Sequence, residues 1–228
     1  ALQNCRLALF DVSPGEITYT RNLFTQFKNL VSLSKLSLDI HRVGSKKNII
    51  REIPTLIQSL NQIRLEEFGL TIKPLYEELY GCVMKSFNKM EFNYLKKIQV
   101  SLQPMTINNS KIYTSPFRLG QMKTLKKVEI SFEYAEHQKI HKDHCKELTK
   151  NLKQLGHIEE LAVEFSHVKG VRVSAISTAF ESLRSLKRLK VKVDRCDIDD
   201  TDFKEFIIRL PLLSQTLMEL KLDFSYSN

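Results

Sequence analysis

One short phrase recurs along this chain: an apolar residue followed by apolar residues three, five and usually seven positions later. Clear copies are Leu33–Leu36–Leu38–Ile40, Leu95–Ile98–Val100–Leu102, Leu125–Val128–Ile130–Phe132 and Leu186–Leu189–Val191–Val193. Others are Leu65–Phe68–Leu70–Ile72, Ile158–Leu161–Val163–Phe165 and Leu217–Leu220–Leu222–Phe224. A degraded copy opens the chain at Leu7 and Leu9, flanked by Asn4 and Asp11. Starts at positions 4, 33, 65, 95, 125, 158, 186 and 217 are 29, 32, 30, 30, 33, 28 and 31 residues apart. A near-constant period of this size marks a stacked repeat array.

Residues 33–64 show how one repeat is built. Leu36, Leu38 and Ile40 alternate with Ser37 and Asp39, so a short strand has one apolar and one polar face. His41 to Asn48, with Gly44, supplies a polar turn. Ile49, Ile50, Ile53, Leu56, Ile57 and Leu60 then recur at three and four residues, the stripe of an amphipathic helix. Neither element can exclude water from its apolar face alone, so strand must pack on helix and repeat on repeat. Further helical stripes run Leu23–Phe27–Leu30, Leu75–Leu79–Val83–Phe87, Leu148–Leu152–Leu155, Ile176–Phe180–Leu183 and Phe203–Phe206–Ile207–Leu210. Pro116 and Gly120 predict an irregular connector before Leu125, Pro54 a late first turn or kink, and Pro211 the end of the last helix.

Strands joined in one direction through helices are parallel, with right-handed crossovers. Because helices are wider than strands, the stack is expected to curve, strands on the concave side and helices on the convex side. The predicted fold is thus an α/β solenoid of about eight repeats, forming a single domain over residues 1–228. The phrases LSKLSLDI, LKKVEISF, IEELAVEF, LKRLKVKV and LMELKLDF resemble the leucine-rich repeat family, in its helix-containing, ribonuclease-inhibitor-like class. That resemblance covers essentially the whole chain. The family usually has Asn or Cys just after the strand phrase. Here the position holds Val12, His41, Lys73, Gln103, Glu133, Ser166, Asp194 and Ser225, and the residue before it is apolar in most copies, so the strands are expected to run longer than usual.

Composition narrows the class further. With 42% hydrophobic and 27% charged residues the chain reads as globular, and no apolar run approaches the roughly 18 residues of a membrane span. Cys5, Cys82, Cys145 and Cys196 are scattered without a CxxC pair, which predicts free thiols in a reducing compartment, cytoplasmic or nuclear. The first residue is not Met and no signal pattern precedes the first strand, so a segment of a longer protein is expected. The last phrase is followed only by Ser225 to Asn228, which predicts a neighbour at the C-terminal edge.

Nothing in the chain marks a reaction. No two of the seven glycines lie close enough to cradle a phosphate, and no nucleophile motif or HExxH appears, so no catalytic residue, cofactor or metal is expected. A cluster at His137, His141, His144 and Cys145 has spacings that could converge on one helix face. It falls between a strand expected to end near Phe132 and a helix starting near Lys142, where helical spacing fails.

Two basic features bear on partners, given a net charge of +9. Lys139, Lys142, Lys146, Lys150 and Lys153 are spaced as an outer helical stripe, either a solvated face or a docking stripe for an acidic surface. The polar strand face carries Arg6, Lys35, Lys97, Lys127, Arg188, Lys190, Lys192 and Lys221, set against Asp39, Glu67, Glu129, Glu160, Glu164, Glu219 and Asp223. Nucleic-acid grooves are one-signed and offer aromatics for stacking; this face is nearly balanced, and Phe10 is its only aromatic. The expectation is therefore a non-catalytic protein-interaction module or scaffold subunit, without membrane contact. It would bind a protein partner in a larger assembly through Lys97, Lys127, Glu129, Glu160, Glu164, Arg188, Lys190, Lys192, Glu219 and Lys221. Alternatives are a ribonucleoprotein subunit touching phosphates through its outer basic stripes and, as many leucine-rich repeats are, a substrate-recognition domain of a ubiquitin ligase.

Overall fold

The structure, a computed structural model, describes residues 2–10, 22, 25–26, 29–41, 57, 59–60, 63–75, 86, 92–104, 119, 122–139 and 148–225. Strands β1 (Asn4–Phe10), β2 (Lys35–His41), β3 (Glu67–Leu75), β4 (Lys97–Pro104), β5 (Lys127–Lys139), β6 (Glu160–Lys169), β7 (Arg188–Asp194) and β8 (Glu219–Asp223) form one sheet. Their order across the sheet is their order along the chain, and every pair is parallel. With helices between strands, the chain is α/β.

Alternation decides which face is buried. Leu36, Leu38 and Ile40, then Leu161, Val163 and Phe165, and then Leu189, Val191 and Val193 are all buried in one hydrophobic core, while the residues between them face outward. The strands are started by one recurring junction, in which a single carbonyl accepts two successive N–H groups of the next strand. Gln3 accepts from Ser34 and Lys35, Ser34 from Glu66 and Glu67, and Glu66 from Lys96 and Lys97. Lys96, Lys126, Glu159 and Lys187 repeat the arrangement, at 2.7–3.0 Å throughout.

This register corrects the phase of the first copy. Cys5 lies opposite Leu36 and Leu7 opposite Leu38, so Leu2, not Asn4, takes the place of Leu33. Phe10, not Val12, lies opposite His41. Cys5 fills the second apolar slot as a small hydrophobe, a substitution that hid the phrase. Strands β1 to β7 outlast the phrase, while β8 stops at Asp223, one residue short of it. β3 reaches Leu75 and β5 reaches Lys139, each resuming its pairing after a register irregularity. Leu75 therefore belongs to a strand end and not to a helical stripe. The strand expected to stop near Phe132 continues through His137.

On the other side of the core lie the described connectors. Residues 148–152 are helical, with Leu148 and Leu152, and Leu155 beyond them, all buried. Helix α1 (Val173–Ser177) ends early, and a 3-10 turn (Phe180–Ser182) follows, so the stripe Ile176–Phe180–Leu183 is buried but is not one continuous helix. Side-chain hydroxyls explain the break: Ser177 Oγ donates to Ser174 O at 2.7 Å and Thr178 Oγ1 to Ala175 O at 2.8 Å, competing with the helical ladder.

Helix α2 (Asp200–Arg209) is capped by Asp199, whose carboxylate accepts the Thr201 N–H at 2.8 Å. Asp200 and Asp202 in the first turn and Arg209 in the last suit the helix dipole. A 3-10 turn (Leu210–Leu213) containing Pro211 ends it as expected. α1 and α2 pack side by side, and Asp202 accepts hydrogen bonds from the Ser174 hydroxyl and N–H.

Only Phe206 of the α2 stripe is buried; Phe203 and Ile207 are 37% and 38% exposed. The phrase position buried in every strand from β2 to β7 is 43% exposed at Leu220 of β8, because the far side of that strand is unpaired among the described residues. No helix among the described residues is long and apolar enough to cross a membrane. Pro54, Cys82, Pro116, Gly120 and the helical stripes beginning at Leu23, Ile49 and Leu79 lie largely or wholly outside the described residues.

Candidate functional site

Parallel pairing in constant register sorts the outward side chains into rows crossing the strands. The first runs Asn4, Lys35, Glu67, Lys97, Lys127, Glu160, Arg188, Glu219. The second runs Arg6, Ser37, Gly69, Gln99, Glu129, Ala162, Lys190, Lys221, and the third holds Asp39, Thr71, Ser101, Ser131, Glu164, Lys192, Asp223 from β2 onward. All ten partner-binding residues expected from the sequence therefore share one face, spread over β4 to β8.

Cross-strand ion pairs knit this face together. Lys35 reaches Glu67 at 2.5 Å, and Lys127 reaches Glu129 at 2.9 Å and Glu160 at 3.1 Å. Lys97 is 3.6 Å from Glu129, Lys192 2.8 Å from Glu164, and Arg188 pairs with Glu160. Lys221 pairs along its own strand with Glu219 at 2.6 Å. Lys73 of β3 reaches over β4 to Glu133 of β5, joining the residues that follow the strand phrase in two copies. Just before the first row a second ladder runs Glu66–Lys96 and Lys126–Glu159–Lys187, at 2.7–3.0 Å. Charged residues precede five of the strands, at Glu66, Lys96, Lys126, Glu159 and Lys187, but the sequence alone does not say which of them meet.

These contacts set the protonation behaviour of the face. Hydrogen bonds from Lys187 and then Lys126 hold Glu159 down at about 2, against 4.5 for an ordinary glutamate. The Arg188 guanidinium lowers Glu160, outweighing burial, with Lys127 adding to it, and Lys221 lowers Glu219. Lys127 is raised, first by its bond to Glu129, and Lys192 by its bond to Glu164. A carboxylate depressed by folding contributes stability above its unfolded value and loses it as pH falls through its folded value. Thermal stability is therefore expected to hold down to about pH 4.5 and to drop toward about pH 2 as the Glu159 ladder is protonated. Melting curves from pH 6 to 2 check this; Glu159→Gln should flatten the drop, and an unchanged profile would contradict the assignment.

Small side chains leave a hollow between the charged rows. A depression of about 600 Å³ is lined by Ser101, Ser131 and Ala162 and walled by Lys73, Glu129, Glu133, Glu164, His167, Lys190, Lys192 and Asp194. Another of about 410 Å³ lies over Ser37 and Gly69 between β1 and β4. His167, which lines the first, and Arg195, next to the lining Asp194, hold left-handed backbone at φ 60° and 52°. Behind them Cys196 is buried, and its Sγ accepts the Val168 N–H at 3.4 Å while lying 3.2 Å from Asp194 O. That thiol ties β6 to the segment after β7. Burial pushes it up to about 11, so it is an anchor and not a nucleophile.

The outer basic stripe is not one helical face. Lys139 lies in β5 opposite Lys169, because pairing resumes there after the irregularity. Lys150 and Lys153 are exposed, while Lys142 and Lys146 lie outside the described residues. His137 is strand backbone; His141, His144 and Cys145 also lie outside the described residues. Among the described residues, no three His, Cys, Asp or Glu side chains converge as a metal site. The chain matches no protein-family model, and no curated protein is significantly similar to it.

Proposed function

We propose that the chain is a leucine-rich-repeat-like solenoid whose polar strand face, taken as the concave side, binds a protein partner without catalysing a reaction. The observation that carries this reading is the balance of that face. Among the described residues, ion pairs between its cations and carboxylates cross five of the seven strand pairings, so it offers shape and a mixed charge pattern and not a one-signed groove. A phosphate backbone laid across it would meet Glu129, Glu160 and Glu164 as often as a lysine. The same reading makes the chain a scaffold piece inside a cell.

Purification of the native complex under gentle conditions is expected to yield a stoichiometric protein partner. Reversal of Arg188, Lys190 and Lys192 to glutamate should weaken that partner's binding at least tenfold while circular dichroism stays unchanged. Unchanged affinity would sink the assignment. Binding that falls steeply and linearly with the logarithm of salt, with nucleic acid as the co-purifying species, would favour the ribonucleoprotein reading.

A further inference from the structure

Lys190 stands apart from the other cations in these rows. Arg6, Lys35, Lys97, Lys127, Arg188, Lys192 and Lys221 each have a carboxylate within ion-pair distance. Lys190 has none among the described residues and is exposed. The cause lies in the register. Glu160 faces Arg188 and Glu164 faces Lys192, but Ala162 faces Lys190, whose other neighbour is Lys221. One methyl group where the adjacent rows place acids leaves an unneutralised ammonium and a hollow beside it.

Asp194, four residues further along β7, is a complementary case, as is Asp223 on β8. No cation lies within ion-pair distance of the Asp194 carboxylate among the described residues, and Asp194 lines the same depression of about 600 Å³ as Lys190. Four residues of strand separate the two groups by about 13 Å. A small zwitterion cannot span that distance. An extended peptide can, because it rises about 3.3 Å per residue and its side chains four apart point the same way.

We propose that this depression takes an extended peptide segment carrying one acidic side chain for Lys190 and one basic side chain, four residues away, for Asp194. The floor of Ser131 and Ala162 leaves room for a backbone to lie close to the sheet. The inference rests on the partner-binding reading and adds the partner's chemistry.

The test uses nine-residue, end-blocked peptides on a serine–valine background, each with one Glu and one Lys spaced two to six residues apart. Fluorescence anisotropy against the full chain is expected to favour spacing four over three and five by about tenfold, since odd spacings put the charges on opposite faces. Lys190→Glu should abolish that preference, and a peptide with Lys at both charged positions should restore binding to the variant. Binding indifferent to spacing, or lost in Lys190→Glu without rescue, overturns the proposal. Failure is separable from that of the broader reading: a native partner displaced by Arg188→Glu/Lys192→Glu but indifferent to Lys190→Glu leaves the protein-binding function standing and removes only this site.

Discussion

Leu189→Ala is expected to lower the unfolding free energy by about 2–5 kcal/mol, while Leu220→Ala, at the same place in the phrase one strand later, costs less than about 1 kcal/mol. The chemistry removed is identical, so the difference isolates burial. Leu189 is 1% exposed between β6 and β8, and its truncation opens a cavity that stacked neighbours on both sides hold apart. Leu220 is 43% exposed on the edge strand, so the alanine gives up little that water had not already reached. Urea unfolding of both variants checks this. Equal costs would mean that the β8 side chains are covered in solution, which would itself reveal a neighbour at that edge.

Phe206→Ala should cost about 3–5 kcal/mol and loosen the last connector as a unit. Phe206 is the buried anchor of α2, set edge-on to Phe180 at 5.7 Å and to Phe224 at 6.3 Å. Through those rings it holds helix, preceding connector and final strand together, so its loss is felt in more than one element. Ile208 on the same helix is 75% exposed, and Ile208→Ala should leave the midpoint within the error of the measurement. Hydrogen exchange would localise the effect. Amides of residues 200–213 should lose protection in Phe206→Ala while those of β4 and β5 keep theirs, and uniform loss would contradict it.

The sheet was legible because its signal is redundant. An apolar residue at the same three places in copy after copy survives individual degradation, so strand positions followed from the period and parallel direction from the strand–helix alternation. The first copy shows the limit. Cys5 in an apolar slot shifted its apparent start by two residues, since a thiol does not announce itself as core. Connectors were read less well. Ile176, Phe180 and Leu183 have helical spacing and are buried, but spacing reports which side chains face the core, not whether the backbone between them stays helical. Ser177 and Thr178, which break it, act through local hydroxyl bonds that no periodicity encodes. Within the candidate site, the residues of the charged face were foreseen but their pairing was not. Which lysine meets which glutamate depends on the register of strands 28 to 60 residues apart in sequence, and only register singles out Lys190 as the one that Ala162 leaves alone.

The two charge ladders also bear on how such a chain finds its own order. To the hydrophobic effect its strands are nearly interchangeable, since each presents the same three apolar residues to the same core. Suppose β7 skipped its neighbour and docked directly on β5. Every apolar contact could form, yet Lys187, Arg188 and Lys192 would lose their partners Glu159, Glu160 and Glu164. Glu159, Glu160 and Glu164, at the start of and within β6, meet cations of β5 on one side and β7 on the other. Weak as each exposed pair is for the finished fold, together the pairs act as an address, rejecting the wrong sibling while the chain is still choosing.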